Sequence, residues 1–416
     1  MSPDAIPPRP AARPLPLDLI LWGAIGIALN VGLARFTYGV MLPSIRRDLS
    51  LEYLGSGNLN AVHLAGYLVG TLVAPRINAG TGPATLAKWA HFLVAAAALV
   101  CAVAPASPVA GPLVLGVGRF ATGLGAGAGI VAILVIVFGA VAPERRPQAS
   151  AAVWAGMGVA IVASGLLVPF LLGPAIGWRC AFVFSALLAL AVAIGFPPRQ
   201  APVPAALPEA DDASEFAARR VWTAEWICLL GAYLLFGVAY VAYATFAGAR
   251  LAAMNAGHAV VAVTWIGFGV ASVFGAGLAA MVIGSPRLKQ HALFVALATA
   301  AAGALVAAAD SAGAAIAGAL LVGLGLAATP SIITANARDR CTAGQYPRAF
   351  SYATAALGIG QLVGPVAGGA LADRFGTIAI PLLAAGAYAV AALLATADAR
   401  VARRVKLAAA ARSPAG

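Results

Sequence analysis

Long apolar runs alternate with short polar connections along almost the whole chain. Each run holds roughly 20 apolar residues, the length at which an α-helix crosses the hydrocarbon core of a bilayer. The runs are continuous and lack the short alternating segments of a membrane β-barrel, so the pattern predicts an all-α membrane protein. Twelve transmembrane helices are predicted, at residues 19–43, 58–79, 88–105, 111–142, 150–174, 180–196, 223–249, 259–284, 290–309, 312–336, 349–372 and 378–397.

The longest polar stretch lies near the middle of the chain and divides these runs into two sets of six. It covers residues 197–221 and is rich in proline and charge, which is typical of a linker between two folded units. The sequence therefore predicts two six-helix bundles, at residues 18–196 and 222–398. Residues 1–17 are predicted from their composition to be a disordered N-terminal tail, and residues 399–416 a cytoplasmic tail.

Faint internal repeats support two pseudo-symmetric halves. The matches occur in order along the chain with slowly drifting offsets, as in secondary transporters that contain parallel repeats. They pair Gly32 with Gly237, Tyr38 with Tyr243, Gly123 with Gly323, Pro169 with Pro365 and Gly173 with Gly369.

Composition and charge agree with an integral membrane protein. Hydrophobic residues make up 62% of the chain and charged residues 10%, and the mean hydropathy is +0.93. Most of the 26 Lys and Arg fall on one side of the predicted spans, which directs both termini to the cytoplasm by the positive-inside rule. The net charge of +12 is therefore interpreted as a topology signal, and no nucleic-acid partner is expected.

Several motifs resemble those of the major facilitator superfamily (MFS). They are GRFATGLGAGAG at 118–129 in the fourth run and GIGQLVGPVAGGALADRFG at 358–376 in the eleventh. The segments GLARFTYGVMLPSIRRDL at 32–49 and NAVHLAGYLVGTL at 60–72 resemble the YbfB/YjiJ-type branch. The resemblance implies an MFS transporter fold in the bacterial inner membrane, with helices 1, 4, 7 and 10 around a central cavity. It does not imply a cargo. The connection at 74–88 lacks the acidic residue that the superfamily usually has there, so a gating ion pair is not expected in this loop.

Two arginines, Arg35 and Arg119, lie inside predicted spans. Each is eight residues from the outer end of its run, about 12 Å at 1.5 Å per residue, so the two share one depth. An arginine at this depth costs about 2.5–3.5 kcal/mol and normally faces a bundle interior or an aqueous cavity. The resemblance places both helices at the cavity. Alternatively, backbone carbonyls or polar neighbours such as Asn30 and Asn60 hold the arginines and fix helix packing.

The 14 acidic residues fall in tails, loops or helix ends, so no buried carboxylate is expected near the two arginines. Unpaired guanidinium groups favour an anionic ligand, because they bind carboxylate or phosphate through two parallel hydrogen bonds. The predicted cargo is a small organic anion.

Neutral polar side chains complete the predicted substrate site. Tyr38 lies one turn from Arg35, and pseudo-symmetry sets Tyr240 opposite Arg35. His63 is the histidine predicted to lie well inside a span, whereas His91, His258 and His291 are placed at helix ends. A histidine titrates near neutral pH, so His63 is either a proton carrier or a packing residue. The substrate-binding candidates are Arg35, Tyr38, His63, Arg119, Tyr240, Tyr243 and Gln361.

Small residues and prolines at regular spacing form a second set of candidates. In a membrane, glycine lets helix backbones approach closely, and proline permits bends. The resemblance also implies that some of these residues take part in conformational change, because the fifth and eleventh helices of the superfamily lie where the two halves move against each other. The packing and conformational candidates are Gly123, Gly125, Gly127, Pro169, Gly173, Gly364, Pro365 and Gly369.

Other functions are also considered. No HExxH, GxSxG or paired intramembrane carboxylates occur, so an enzyme is not expected. The four cysteines have no CxxC spacing, and neither a cofactor nor a metal site is expected. An exporter of amphipathic, drug-like compounds or a sensor with a carrier fold remain alternatives. Expected partners are a small-molecule substrate, a coupling proton or counter-anion, and membrane lipid, and the protein is expected to be a monomer.

Overall fold

The computed structural model describes residues 16–142, 145–169, 177–195, 223–341 and 345–412. These residues form helices and no β-strand, which confirms the all-α prediction for the described part of the chain. The helices are α1 (Leu17–Leu49), α2 (Tyr53–Thr81), α3 (Pro83–Ala102), α4 (Ala110–Ala140), α5 (Arg146–Leu167), α6 (Arg179–Gly195), α7 (Ala224–Ala253), α8 (His258–Val282), α9 (Pro286–Val306), α10 (Ala312–Arg338), α11 (Tyr346–Phe375) and α12 (Ala379–Arg412).

Within the described ranges, ten helices are long and apolar enough to cross a membrane. α2 is not among these ten, and α6, at 17 residues, is a shorter apolar helix. The chain is therefore an integral, multi-pass membrane protein. Twelve spans were predicted, and ten of the described helices have the length and hydropathy of a membrane span.

The helix ends follow from local backbone chemistry. Ser285 and Ser311 precede α9 and α10, and each hydroxyl accepts a hydrogen bond from a backbone N–H in the first turn. Gly82 and Gly376 follow α2 and α11 with φ of 81° and 78°, a conformation that glycine adopts without strain. The connections after these caps are short, so successive helices run back and forth.

The packing of neighbouring helices determines which side chains lie close together. α4 packs against α2 and α3, α10 packs against α8 and α9, and α7 packs against α11 and α12. The first six helices meet the last six chiefly through three pairs, α2 with α11, α5 with α8, and α1 with α7. These pairs bring α1, α2, α7 and α11 together, and α4 joins them by packing against α2, so the helices that carry the predicted substrate residues are neighbours.

Some predicted segments lie outside the described residues or differ from the structure. The linker at 197–221, residues 1–15 of the N-terminal tail and Gly173 lie outside the described part. α12 continues to Arg412, so a helix covers much of the segment predicted as a tail. α2 begins at Tyr53, five residues before the predicted start of its run.

Candidate functional site

α1 changes its helical form where it carries Arg35. It is α-helical over Leu17–Ile27, π-helical over Ala28–Phe36 and α-helical again over Thr37–Leu49. A π-helical segment is rare and often occurs at functional sites, because it rotates the side chains that follow it relative to an ideal α-helix. The hydrophobic pattern did not predict this change, since the apolar run continues through it unbroken.

Arg35 is half-buried and faces α7. Its guanidinium carbon lies 5.2 Å from the ring centroid of Tyr240. Gln361 on α11 donates a hydrogen bond from Nε2 to the Tyr240 hydroxyl at 2.7 Å, which fixes the ring. The Nη2 atom of Arg35 is enclosed, yet it has no hydrogen-bond partner among the described residues. The structure thus brings together three predicted site residues, and it leaves a charged donor unsatisfied.

Arg119 on α4 is fully enclosed, with 1% of its surface exposed. Its Nη1 donates to the Ala34 carbonyl oxygen at 2.7 Å, and its Nη2 donates to Asn60 Oδ1 at 2.6 Å. Its guanidinium carbon also lies 4.3 Å from the ring centroid of Tyr38. The alternative in which polar neighbours hold this arginine is therefore the one that these contacts favour.

Tyr38 and His63 connect the helices around Arg119. The Tyr38 hydroxyl donates to the Ser56 carbonyl oxygen on α2 at 2.8 Å. His63 Nδ1 lies 3.1 Å from the Arg119 carbonyl oxygen and 3.2 Å from Thr122 Oγ1. Both side chains are 1% exposed, so they lie in a packed interior that joins α1, α2 and α4.

Asn60 extends this network into the last six helices. Its Nδ2 donates to Thr245 Oγ1 on α7 at 2.7 Å, while its Oδ1 accepts from Arg119. Asn60 was predicted from the sequence as a possible partner of a buried arginine, whereas no sequence signal pointed to Thr245. The network crosses between the two sets of helices with neutral groups, apart from Arg119 itself.

No carboxylate compensates the two central arginines in the described residues. The ion pairs there are Arg179–Asp48, Arg250–Asp310, Lys289–Asp339 and Arg340–Asp398, and each has at least one member near a helix end or in a connection. Asp398 was predicted to lie at a helix end, but it is buried within α12 and pairs with Arg340. The centre of the molecule is therefore positively charged.

A family model described as "Uncharacterised MFS-type transporter YbfB" matches residues 27–397. The chain belongs to this family. The match includes each helix that contributes to the central site, so the protein is an MFS transporter and not an enzyme.

Solved transporter structures have the same fold at low sequence identity. A bacterial homolog of the human lysosomal transporter Spinster, inward-facing and unoccupied, has a TM-score of 0.70 and 14% identity over 93% of this chain and 99% of its own. The occupied form of such a homolog gives 0.65 and 19%, over 97% and 100%. The nucleoside transporter NupG gives 0.71 and 12%, over 91% and 99%. At these identities the similarity shows the fold.

The glycines of this transporter lie at close helix contacts. A Cβ at Gly123 or Gly127 would overlap a carbonyl oxygen of α2, and one at Gly125 would lie 2.8 Å from the Ala90 oxygen on α3. A Cβ at Gly364 would overlap the Val238 oxygen on α7, and one at Gly369 would meet the Tyr53 oxygen on α2. These distances favour the packing role.

The contacts of the remaining candidate residues do not distinguish substrate binding from packing. Tyr243 packs its ring 6.2 Å from that of Phe268. Pro169 is buried just beyond α5, and the Pro365 carbonyl oxygen lies against Gly57 of α2. The placement of His91 at a helix end was wrong, because His91 is buried within α3 and its Nε2 lies 3.3 Å from Asn30 Nδ2.

Proposed function

We propose that this transporter carries a small organic anion across the bacterial inner membrane by alternating access. In this proposal twelve helices form two six-helix bundles, both termini are cytoplasmic, and the cargo binds between the bundles beside Arg35. The short connections on the face where residues 50–52 join α1 to α2, here called the first-loop face, are then on the outer side.

The observation that carries the proposal is the enclosed Nη2 atom of Arg35, which has no hydrogen-bond partner among the described residues. A buried charged donor without a partner costs more than the 1–3 kcal/mol of a neutral one. The nearby partners of Arg35 are aromatic, and no acidic side chain pairs with it among the described residues. An anionic cargo would supply the missing acceptor and a compensating charge, which a neutral or cationic cargo would not do.

Tyr240 and Gln361 fit a role in orienting that cargo. The hydrogen bond from Gln361 leaves the Tyr240 hydroxyl free to donate to an anion held by Arg35. In contrast, each Nη atom of Arg119 donates a hydrogen bond, to Ala34 or to Asn60, and its Nε is the atom left without a partner among the described residues, so we assign it a positioning role. The contacts of His63 likewise favour packing over proton transfer.

An exporter of amphipathic compounds is the second candidate, and the aromatic cluster of α7 favours it. Phe236 lies 4.9 Å from Tyr240 and 6.1 Å from Tyr388, measured between ring centroids. These rings are buried against each other, and the Tyr388 hydroxyl and Arg35 Nη2 both lack a hydrogen-bond partner among the described residues, but only the Arg35 donor is charged. The anion is therefore the better-supported cargo.

Uptake into proteoliposomes tests the proposal. The purified transporter is screened against panels of radiolabelled carboxylates, phosphate esters and drug-like amines, and the best anion is then measured with variants. Arg35→Gln is expected to lower its uptake by more than tenfold, because the charge and the paired donors are lost, and Arg35→Lys is expected to retain part of the activity. Arg47→Gln is the matched control, since Arg47 is an exposed cation on the same helix.

Two outcomes would contradict the proposal. In one, the wild-type protein transports amines and none of the anions, which would favour the exporter. In the other, uptake of the best anion is the same in Arg35→Gln as in Arg47→Gln.

A further inference from the structure

The N-terminus of α2 obtains its cap from a distant helix. Glu52 precedes α2 but makes no side-chain capping bond. Instead, Asp373 in the last turn of α11 accepts hydrogen bonds from the backbone N–H of Tyr53 at 2.7 Å and of Leu54 at 2.8 Å. Such N–H groups have no acceptor within their own helix, and a carboxylate there is also favoured by the helix dipole. The cap therefore joins the first six helices to the last six.

The two sets of helices also approach each other closely in this region. A Cβ at Gly57 would overlap the Pro365 oxygen, and a Cβ at Gly39 would overlap the Ala244 oxygen. These contacts between α2 and α11, and between α1 and α7, lie toward the first-loop face. The guanidinium of Arg46 stacks 3.3 Å above the Tyr53 ring and covers the capped turn.

Toward the opposite face, α2 and α11 are less tightly packed. A Cβ at Gly358 would lie 3.5 Å from Leu68, an ordinary contact, and a Cβ at Gly80 would have no atom within 4 Å. The structure is therefore closed at the first-loop face, where Asp373 lies.

We propose that Asp373 is a latch residue that holds the first-loop face closed. This inference rests on alternating access, in which α2 and α11 must separate at this face once in each cycle. Separation would break both hydrogen bonds and return the carboxylate and the two N–H groups to water. Asp373 has no cationic partner among the described residues, so the stabilisation that its carboxylate provides applies mainly to the closed state. Losing a helix cap changes a two-state ratio by about fivefold.

The latch is tested by measuring the opening of the first-loop face directly. Spin labels are placed at Ala106, in the connection before α4, and at Gly313, at the start of α10, in a background whose four cysteines are replaced by alanine. Both positions are exposed, and they lie on different sets of helices. Pulsed electron spin resonance then gives the distance distribution in nanodiscs without any substrate.

Asp373→Ala is expected to raise the ratio of long to short distances about fivefold, because the cap is lost. Asp373→Asn is expected to have a smaller effect, because its amide oxygen still accepts one N–H. Asp310→Ala is the matched control, since Asp310 is also exposed near this face but pairs with Arg250 within the last six helices.

Unchanged distances in both Asp373 variants would overturn the latch, as would an equal shift in Asp310→Ala. Should Asp373→Ala fail to give monodisperse protein, Asp373→Asn alone decides between these results. Because no substrate is present, the distances test the latch and the uptake assay tests the cargo, so the failure of one is distinguishable from the failure of the other.

Discussion

Asn60 and Thr245 are hydrogen-bonded across the two sets of helices, with Asn60 Nδ2 donating to Thr245 Oγ1 at 2.7 Å. The other end of the Asn60 amide accepts from Arg119, so one side chain both satisfies a buried cation and joins α2 to α7. The two hydrogen bonds of Asn60 are expected to contribute differently to stability, because a hydrogen bond to a charged group contributes more than one between neutral groups.

Substitutions at Asn60 and Thr245 are expected to separate the two tasks. Asn60→Ala should lower the free energy of unfolding by roughly 2–3 kcal/mol, because it leaves the Arg119 guanidinium short of an acceptor. Thr245→Val should cost only about 1 kcal/mol, because it removes a neutral bond and preserves shape. Thermal unfolding of the detergent-purified variants measures both, and an equal effect of the two substitutions would contradict this account of Arg119.

Arg35 could be singled out from the sequence, because a charge within an apolar run is visible without any tertiary information. The all-helical architecture and the family were also predicted from the sequence, since apolar runs of roughly twenty residues and glycine-rich motifs are local features. Thr245 was missed because its role depends on how α2 and α7 align, and those residues are far apart in the chain. The π-helical segment was missed for another reason: the hydrophobic pattern does not report a change in backbone hydrogen bonding.

His91 shows how an inaccurate helix boundary misplaces a side chain. The apolar run was predicted to begin at residue 88, but α3 begins at Pro83, so His91 lies two turns inside the helix. There its Nδ1 contacts the Ala87 oxygen at 2.7 Å. A polar residue near an uncertain helix end therefore could not be assigned from sequence as buried or exposed.

Three glycines of α2 are expected to respond differently to alanine. Gly66→Ala should impair folding, because its Cβ would overlap the Phe120 oxygen of α4 within the first six helices. Gly57→Ala should leave the fold intact but favour opening at the first-loop face, because its overlap is with Pro365 of α11. Gly80→Ala is the control, since no atom lies within 4 Å of its Cβ.

Size-exclusion chromatography and the distance between Ala106 and Gly313 labels distinguish these effects. A Gly57→Ala protein that is as poorly folded as Gly66→Ala would show that the contact between α2 and α11 is a fixed part of the fold.

The buried pair of Arg340 and Asp398 is expected to matter more for stability than an exposed pair. Asp398 is 1% exposed, so Asp398→Ala removes a buried carboxylate that accepts a hydrogen bond from Arg340 and should cost about 3 kcal/mol. Asp310→Ala removes a carboxylate that is largely exposed, and its effect should be below about 1 kcal/mol. Unfolding temperatures in detergent compare the two, and similar values would mean that the buried pair adds no net stability.

Tyr240 and Gln361 are expected to act on substrate affinity as a pair. Tyr240→Phe keeps the ring beside Arg35 but removes the hydroxyl that accepts from Gln361, so the transport KM for the best anion should rise several-fold. Gln361→Leu should have a similar effect, because the hydroxyl loses the bond that orients it. Since both changes remove the same hydrogen bond, the KM of the double variant should be no higher than that of the more impaired single variant. Independent, multiplicative effects on KM would mean that the two side chains contact the cargo separately.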